Sequence, residues 1–180
     1  MALFVRMACL LALFFISSAA SAASVVFLNP GKSSEPYWLS YSQFMQAAAA
    51  NLGMSLEILY AERNPQTMLE QARSQLKGKQ RPDYLVFVNE QSAGPAILHL
   101  SQGSGVKLFA VSSTLTADQQ SLIGGSREKY SNWIGSLVPN DEEAGYIMAS
   151  RLIELQQAKA PGQPIQMLAF SGIKQTPAAQ

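Results

Sequence analysis

Tyr37 and Trp38, Asn89 and Glu90, Ser112 and Ser113, and Asn140 and Asp141 are the side chains of this sequence best placed for chemistry, because each pair follows a short apolar run and its loop. Aromatic faces stack on flat or ring-shaped ligands, while amides, carboxylates and hydroxyls satisfy polar ones. No nucleophile stands beside a base in this set. Cys9 is the only cysteine and His99 the only histidine, so thiol catalysis, a histidine triad and a Cys/His metal site all lack their parts. The set suits reversible binding of a small polar molecule better than bond breaking; no catalytic residue, metal ligand or cofactor is expected. Tyr37, Trp38, Asn89, Glu90, Ser113 and Asn140 are the expected ligand-contacting residues. Each pair keeps a structural alternative: packing of the aromatics on a neighbouring loop, capping of the next helix by Asn89, and capping of a later one by Asn140 or Asp141. Gly31-Lys32-Ser33 lacks the upstream glycine of a phosphate loop, which sets nucleotide binding aside. His99, among leucines, reads as a surface residue.

The elements that must position these residues are legible from period and punctuation. Ser24–Leu28 is a short apolar run suited to a buried parallel strand, and Asn29-Pro30-Gly31 ends it. Pro36 then opens a helix that Gly53 closes, with Glu35 expected to complement its positive end. Ser55–Tyr60 is a second strand, which completes a β-α-β unit. The rhythm continues: a helix from Pro65 capped by Asn64, a strand Tyr84–Val88, a helix Ala93–Leu100, a strand Val106–Val111 and a short helix Leu115–Ile123. A strand Trp133–Val138, a helix Glu142–Gln157 with Ile147, Met148, Leu152 and Leu155 on one face, and a strand Ile165–Phe170 complete it. Strands and helices alternate about six times, which argues for an α/β fold with a doubly wound parallel sheet. In such sheets ligands sit beyond the carboxyl ends of the strands, where the polar pairs fall.

Composition narrows the function further. At 180 residues and 48% hydrophobic, the chain can bury one real core but is short for two complete domains. Its formal net charge is +1 with no basic block, which gives no electrostatic footprint for nucleic acid. The first residues read as an export signal: Arg6 in a short basic start, an apolar run Ala8–Ile16, and small residues through Ala22. Cleavage near Ala22 and a periplasmic location are expected, with Cys9 lost in the leader.

In the order and spacing of its motifs the chain resembles a type I periplasmic binding protein, the ribose- and galactose-binding class of transporter receptors. Asn29-Pro30, Pro36-Tyr37-Trp38 and the helix to Asn51-Leu52-Gly53 resemble the family's opening, in which aromatics after the first strand clamp a sugar. Pro82-Asp83, Tyr84–Val88 and Asn89 resemble its third strand and binding amide. Ile134-Gly135-Ser136 through Ala144-Gly145 resembles the crossover between lobes, and Phe170-Ser171-Gly172 with Thr176-Pro177-Ala178-Ala179 the beginning of the second lobe. The resemblance implies a flavodoxin-like strand order, a leader over 1–22, a nearly complete first lobe over 23–139 and a second lobe only begun over 140–180. It implies a carbohydrate-like solute as ligand, and an ABC transporter permease or a membrane sensor as partner. Ser112-Ser113 stand where many sugar-binding members carry Asp-Arg, which leaves the ligand open. Because such receptors close two lobes on their ligand, only weak solute binding is expected of this chain alone. The competing expectation is a non-catalytic periplasmic module of the same fold that binds a membrane receptor without tight solute binding.

Overall fold

The computed structural model describes residues 22–170. The expected leader and the start of the second lobe after Phe170 lie outside the described residues. Five parallel strands form one sheet in the order β2-β1-β3-β4-β5, which is the flavodoxin-like doubly wound order. They are β1 (Ser24–Asn29), β2 (Ser55–Tyr60), β3 (Tyr84–Phe87), β4 (Lys107–Val111) and β5 (Trp133–Leu137). Between them run α1 (Pro36–Asn51), α2 (Pro65–Lys77), α3 (Gly94–Ser101) and α4 (Ala117–Ile123), and α5 (Asp141–Lys159) follows β5.

The alternation of side chains along each strand builds two cores. Val26 and Leu28 of β1, Leu85 and Phe87 of β3, and Leu108 and Ala110 of β4 point to one face. There they meet Met68, Ala72 and Leu76 of α2 and Ile97 and Leu98 of α3. Phe27, Val86 and Val111 point to the other face, against Trp38, Tyr41 and Met45 of α1. Strands apolar on both sides are therefore the consequence of helices on both sides. Phe27 lies between Ile58 of β2 and Val86 of β3 in register, so β1 is an interior strand of the sheet.

Helix ends follow from the residues at them. Asn64 Oδ1 accepts the Gln66 and Thr67 amides, and Asn140 Oδ1 accepts that of Glu143, satisfying donors that no helical carbonyl reaches. Thr116 and Gln119 form a reciprocal capping box on α4. Glu35 does something other than expected. Its carboxylate makes no cap bond to α1 and turns outward to the Lys32 amide and to Arg63.

One expectation is corrected in the last third of the chain. Ile165–Phe170 is not a strand: it runs as irregular, exposed chain. A strand exists only with a ladder partner, and among the described residues none pairs with it. The expected helix at α5 forms, and among the described residues nothing covers its apolar side chains: Ile147, Met148, Leu152 and Leu155 are all exposed, and α5 contributes to neither core. His99 is an exposed surface residue on α3.

Candidate functional site

The loops after β1 to β4 at the carboxyl edge of the sheet are held by two asparagine side chains and by backbone bonds between loops. After β1, the buried Asn29 accepts the Gly31 amide at 2.8 Å and donates to Ser42 Oγ at 2.9 Å and to the Trp38 carbonyl at 3.3 Å. It thereby folds the loop back on α1. The loop after β2 is zipped onto this one: the amides of Ala61, Glu62 and Arg63 donate to the carbonyls of Asn29, Gly31 and Pro30. After β3, Asn89 accepts the Gly94 amide at 2.9 Å. Its Nδ2 donates to the Thr114 carbonyl and to Gln119 Oε1, both at 2.8 Å. The loop after β4 is thus tied to the loop after β3.

On this frame stands an aromatic cluster. Trp38 is 4% exposed, whereas Tyr37 beside it is 58% exposed. Their rings meet edge to face, centroids 5.0 Å apart, and Tyr41 lies 5.6 Å from Trp38, geometries that aromatic quadrupoles favour. The Arg63 guanidinium lies 6.0 Å from the centre of the Trp38 ring. It bridges two carboxylates: a two-pronged contact with Glu35, and Nη1 donating to Glu90 Oε1 at 2.9 Å. Glu62 accepts the Ser33 amide at 2.9 Å. Residues from three loops are cross-linked through one guanidinium.

The backbone here is strained in a consistent way. Among the described residues, five of the six non-glycine residues with left-handed φ lie in these loops: Glu62, Arg63, Gln91, Ser92 and Ser112. Such conformations cost of order 1 kcal/mol or more each and gather where geometry is held for a purpose. The hydroxyls of Ser113 and Thr114 are shielded from solvent and have no hydrogen-bond partner in the protein, a costly state unless water or a ligand supplies one.

The residues read from the sequence therefore fall into different roles. Tyr37 and Glu90 are at the surface of the edge, and Ser113 offers an unpaired hydroxyl. Trp38 backs Tyr37 from within the core. Asn89 has its carbonyl oxygen and both amide hydrogens committed to the protein. Asn140 hydrogen-bonds only within the first turn of α5. Glu35, Glu62 and Arg63 were not singled out by sequence reasoning. The signal was available, since Glu62-Arg63 follows β2 as Asn89-Glu90 follows β3.

Two concavities lie at the opposite, amino edge. One of about 540 Å³ and one of about 450 Å³ share the Arg81-Pro82 turn. Two of the side chains lining them are engaged by the protein, Arg81 with the Ser104 carbonyl and Asp83 with Ser24. Among the described residues, no three His, Cys, Asp or Glu side chains converge on a metal-sized point, and no helix is long and apolar enough to cross a membrane.

Hydrogen bonding from Arg63 holds the Glu35 carboxyl below the usual range, and bonds from the Ser24 amide and hydroxyl do the same for Asp83. Both groups bind protons less readily folded than unfolded. Their contribution is fully present above the ordinary carboxylate pKa of about 4 and is lost as pH falls through the lowered folded values. Thermal unfolding followed from neutral to strongly acidic pH is expected to show a falling limb below about pH 4. That limb flattens in the double variant E35Q/D83N; an unchanged slope would sink the assignment.

Residues 22–172 match the family described as periplasmic binding proteins and sugar binding domain of LacI family. Among solved structures, a periplasmic sugar-binding protein from Pseudomonas fluorescens is 56% identical with a TM-score of 0.71, over 87% of this chain and 44% of that one. A Mycobacterium smegmatis protein in complex with β-D-fucofuranose is 16% identical with a TM-score of 0.63, over 88% of this chain and 47% of that one. A galactofuranose binding protein is 13% identical with a TM-score of 0.61, over 87% and 48%. The last two share the fold. The chain spans less than half the length of each of these three structures. Among proteins of curated function, none matches it.

Proposed function

The chain belongs to the family of periplasmic binding proteins and LacI-type sugar-binding domains, and we propose that it serves as a periplasmic receptor for a small, sugar-like solute. In this reading residues 23–139 form the first lobe, residues 140–180 lead into a second, and residues 1–22 are an export leader. The solute lies on the carboxyl edge. The exposed Tyr37 ring stacks on it and Glu90 accepts a hydroxyl, with Ser113, whose hydroxyl is shielded from solvent, in the adjoining loop after β4. Trp38 fixes Tyr37 from behind, Asn89 holds the loops, and Asn140 stands at the entry to the second lobe. The observation that carries this reading is an exposed aromatic backed by a buried one, beside unpaired hydroxyls, on strained loops at the edge where such sheets bind ligands. The 56% identity to a periplasmic sugar-binding protein supports it. No nucleophile–base pair stands at this edge, so the action is binding and delivery to an ABC transporter permease or a membrane sensor.

The test is an amide-resolved NMR titration of the chain with neutral aldoses up to millimolar concentrations, a range that still registers weak binding. Shifts confined to the loops bearing Tyr37, Glu90 and Ser113, and lost in Y37A, are expected. Shifts nowhere, or only at the amino edge, would overturn it. A second reading, a module that docks on a membrane receptor without tight solute binding, draws on the exposed apolar face of α5. Retention by receptor-containing membranes with no aldose-induced shift would favour it.

A further inference from the structure

Arg63 is placed unusually for a cation on the rim of a solute site, because the protein itself engages three of its five N–H donors with carboxylates. Nε and Nη2 fork onto Glu35, Nη1 is 2.9 Å from Glu90 Oε1, and the plane is backed by Trp38. Two-pronged guanidinium–carboxylate pairing is the strong form of this contact. Its side chain is nonetheless 38% exposed, so its charge bears on anything bound beside it. Across the loops after β1, β2 and β3 the carboxylates of Glu35 and Glu90 both pair with Arg63, two negative charges against one positive. The hydroxyls of Ser113 and Thr114, neutral and shielded from solvent, have no partner in the protein.

Resting on the solute-receptor reading above, we infer that Arg63 is a specificity-determining residue: pinned by Glu35 and Glu90, it selects an uncharged polyol and rejects phosphorylated or carboxylated solutes. An acidic ligand that takes the two-pronged face of the guanidinium must displace a carboxylate, and one that approaches from outside meets the paired carboxylates of Glu35 and Glu90. Either route costs Coulomb energy at an edge only partly screened by water. A sugar hydroxyl donates to a carboxylate oxygen and moves no charge. Arg63 is also a positioning residue, since it ties the loops after β1, β2 and β3 together.

The experiment is the same NMR titration of the full chain with matched sets: galactose, ribose and arabinose against galacturonate, galactose 6-phosphate and ribose 5-phosphate. In the wild type, neutral members are expected to bind at least about tenfold more tightly than their acidic counterparts. In E90Q and E35Q, which free part of the guanidinium, that ratio should fall about tenfold. Thermal melts confirm that both variants fold, and a purely structural role would not move the ratio. An acidic member binding as tightly as its neutral counterpart in the wild type, or a ratio unmoved in both variants, overturns the inference while leaving the receptor reading intact. Shifts with no member of either set overturn that reading and this inference with it.

Discussion

Asn89→Ala is expected to lower the stability of the unliganded chain by about 3 kcal/mol, the sum of two orphaned buried groups at 1–3 kcal/mol each. Asn89 is 1% exposed. Truncation leaves the Gly94 amide without its acceptor and the Thr114 carbonyl without its donor. Water cannot enter freely, because the start of α3 packs against this side chain so closely that a Cβ on Gly94 would lie 2.7 Å from Asn89 Oδ1. Asn89→Asp should be worse at neutral pH than in acid. It keeps the oxygen that accepts from Gly94 but sets a second, anionic oxygen against the Thr114 carbonyl. Urea unfolding is the measurement: a lower midpoint at unchanged slope is expected. A loss below about 1 kcal/mol would mean that the amide is not a peg. The result also bears on function. If solute response disappears in N89A together with stability, the loss reports a collapsed loop and not a missing ligand contact.

That distinction marks where the sequence stops being legible. The strands and helices could be read within a residue or two at most boundaries, because alternation, helical spacing, proline starts and glycine stops are local. The fate of a polar side chain is not. An asparagine after a strand looks the same whether its three hydrogen-bonding positions face a ligand or, as at Asn29 and Asn89, neighbouring loops. Tyr37 and Trp38 were read as a pair, but adjacent residues on a helix point about 100° apart. One therefore enters the core and only the other can meet a solute directly. Arg63 was passed over inside a segment read as loop, although it lies at a strand end as Glu90 does. What makes it central is the proximity of loops after three strands, which depends on strand order and so on the whole sheet. Ile165–Phe170 has the composition of a strand, but pairing is a relation between segments. Likewise the helical period of α5 is plain in its sequence, while what its apolar face should pack against is not.

The second large effect lies at Gly31, and here crowding rather than backbone freedom decides the outcome. A Cβ at this position would fall 2.1 Å from Trp38 Cδ1, 2.3 Å from Cγ and 2.7 Å from the Trp38 Cβ. The indole has little room to retreat. Its own carbonyl is bound by Asn29, and it is packed among Phe27, Val86, Val88 and Val111. Gly31→Ala must therefore expel the ring or lift the loop, and overpacking of this severity costs about 3 kcal/mol. Gly53 supplies the control. Its φ of +65° disfavours a side chain, but nothing lies within 4 Å of the added carbon, so Gly53→Ala costs only the left-handed strain, about 1–2 kcal/mol. Chemical unfolding should rank Gly31→Ala as the more damaging of the two. Gly31→Ala alone should also weaken the near-ultraviolet circular dichroism of the Trp38–Tyr37–Tyr41 cluster and shift tryptophan emission to the red. Should the two variants prove equally mild, with the aromatic signal intact, Trp38 would not be wedged in place. Tyr37 and Arg63 would then lose the fixed surface against which both are held, and a solute site built on that surface would lose its foundation.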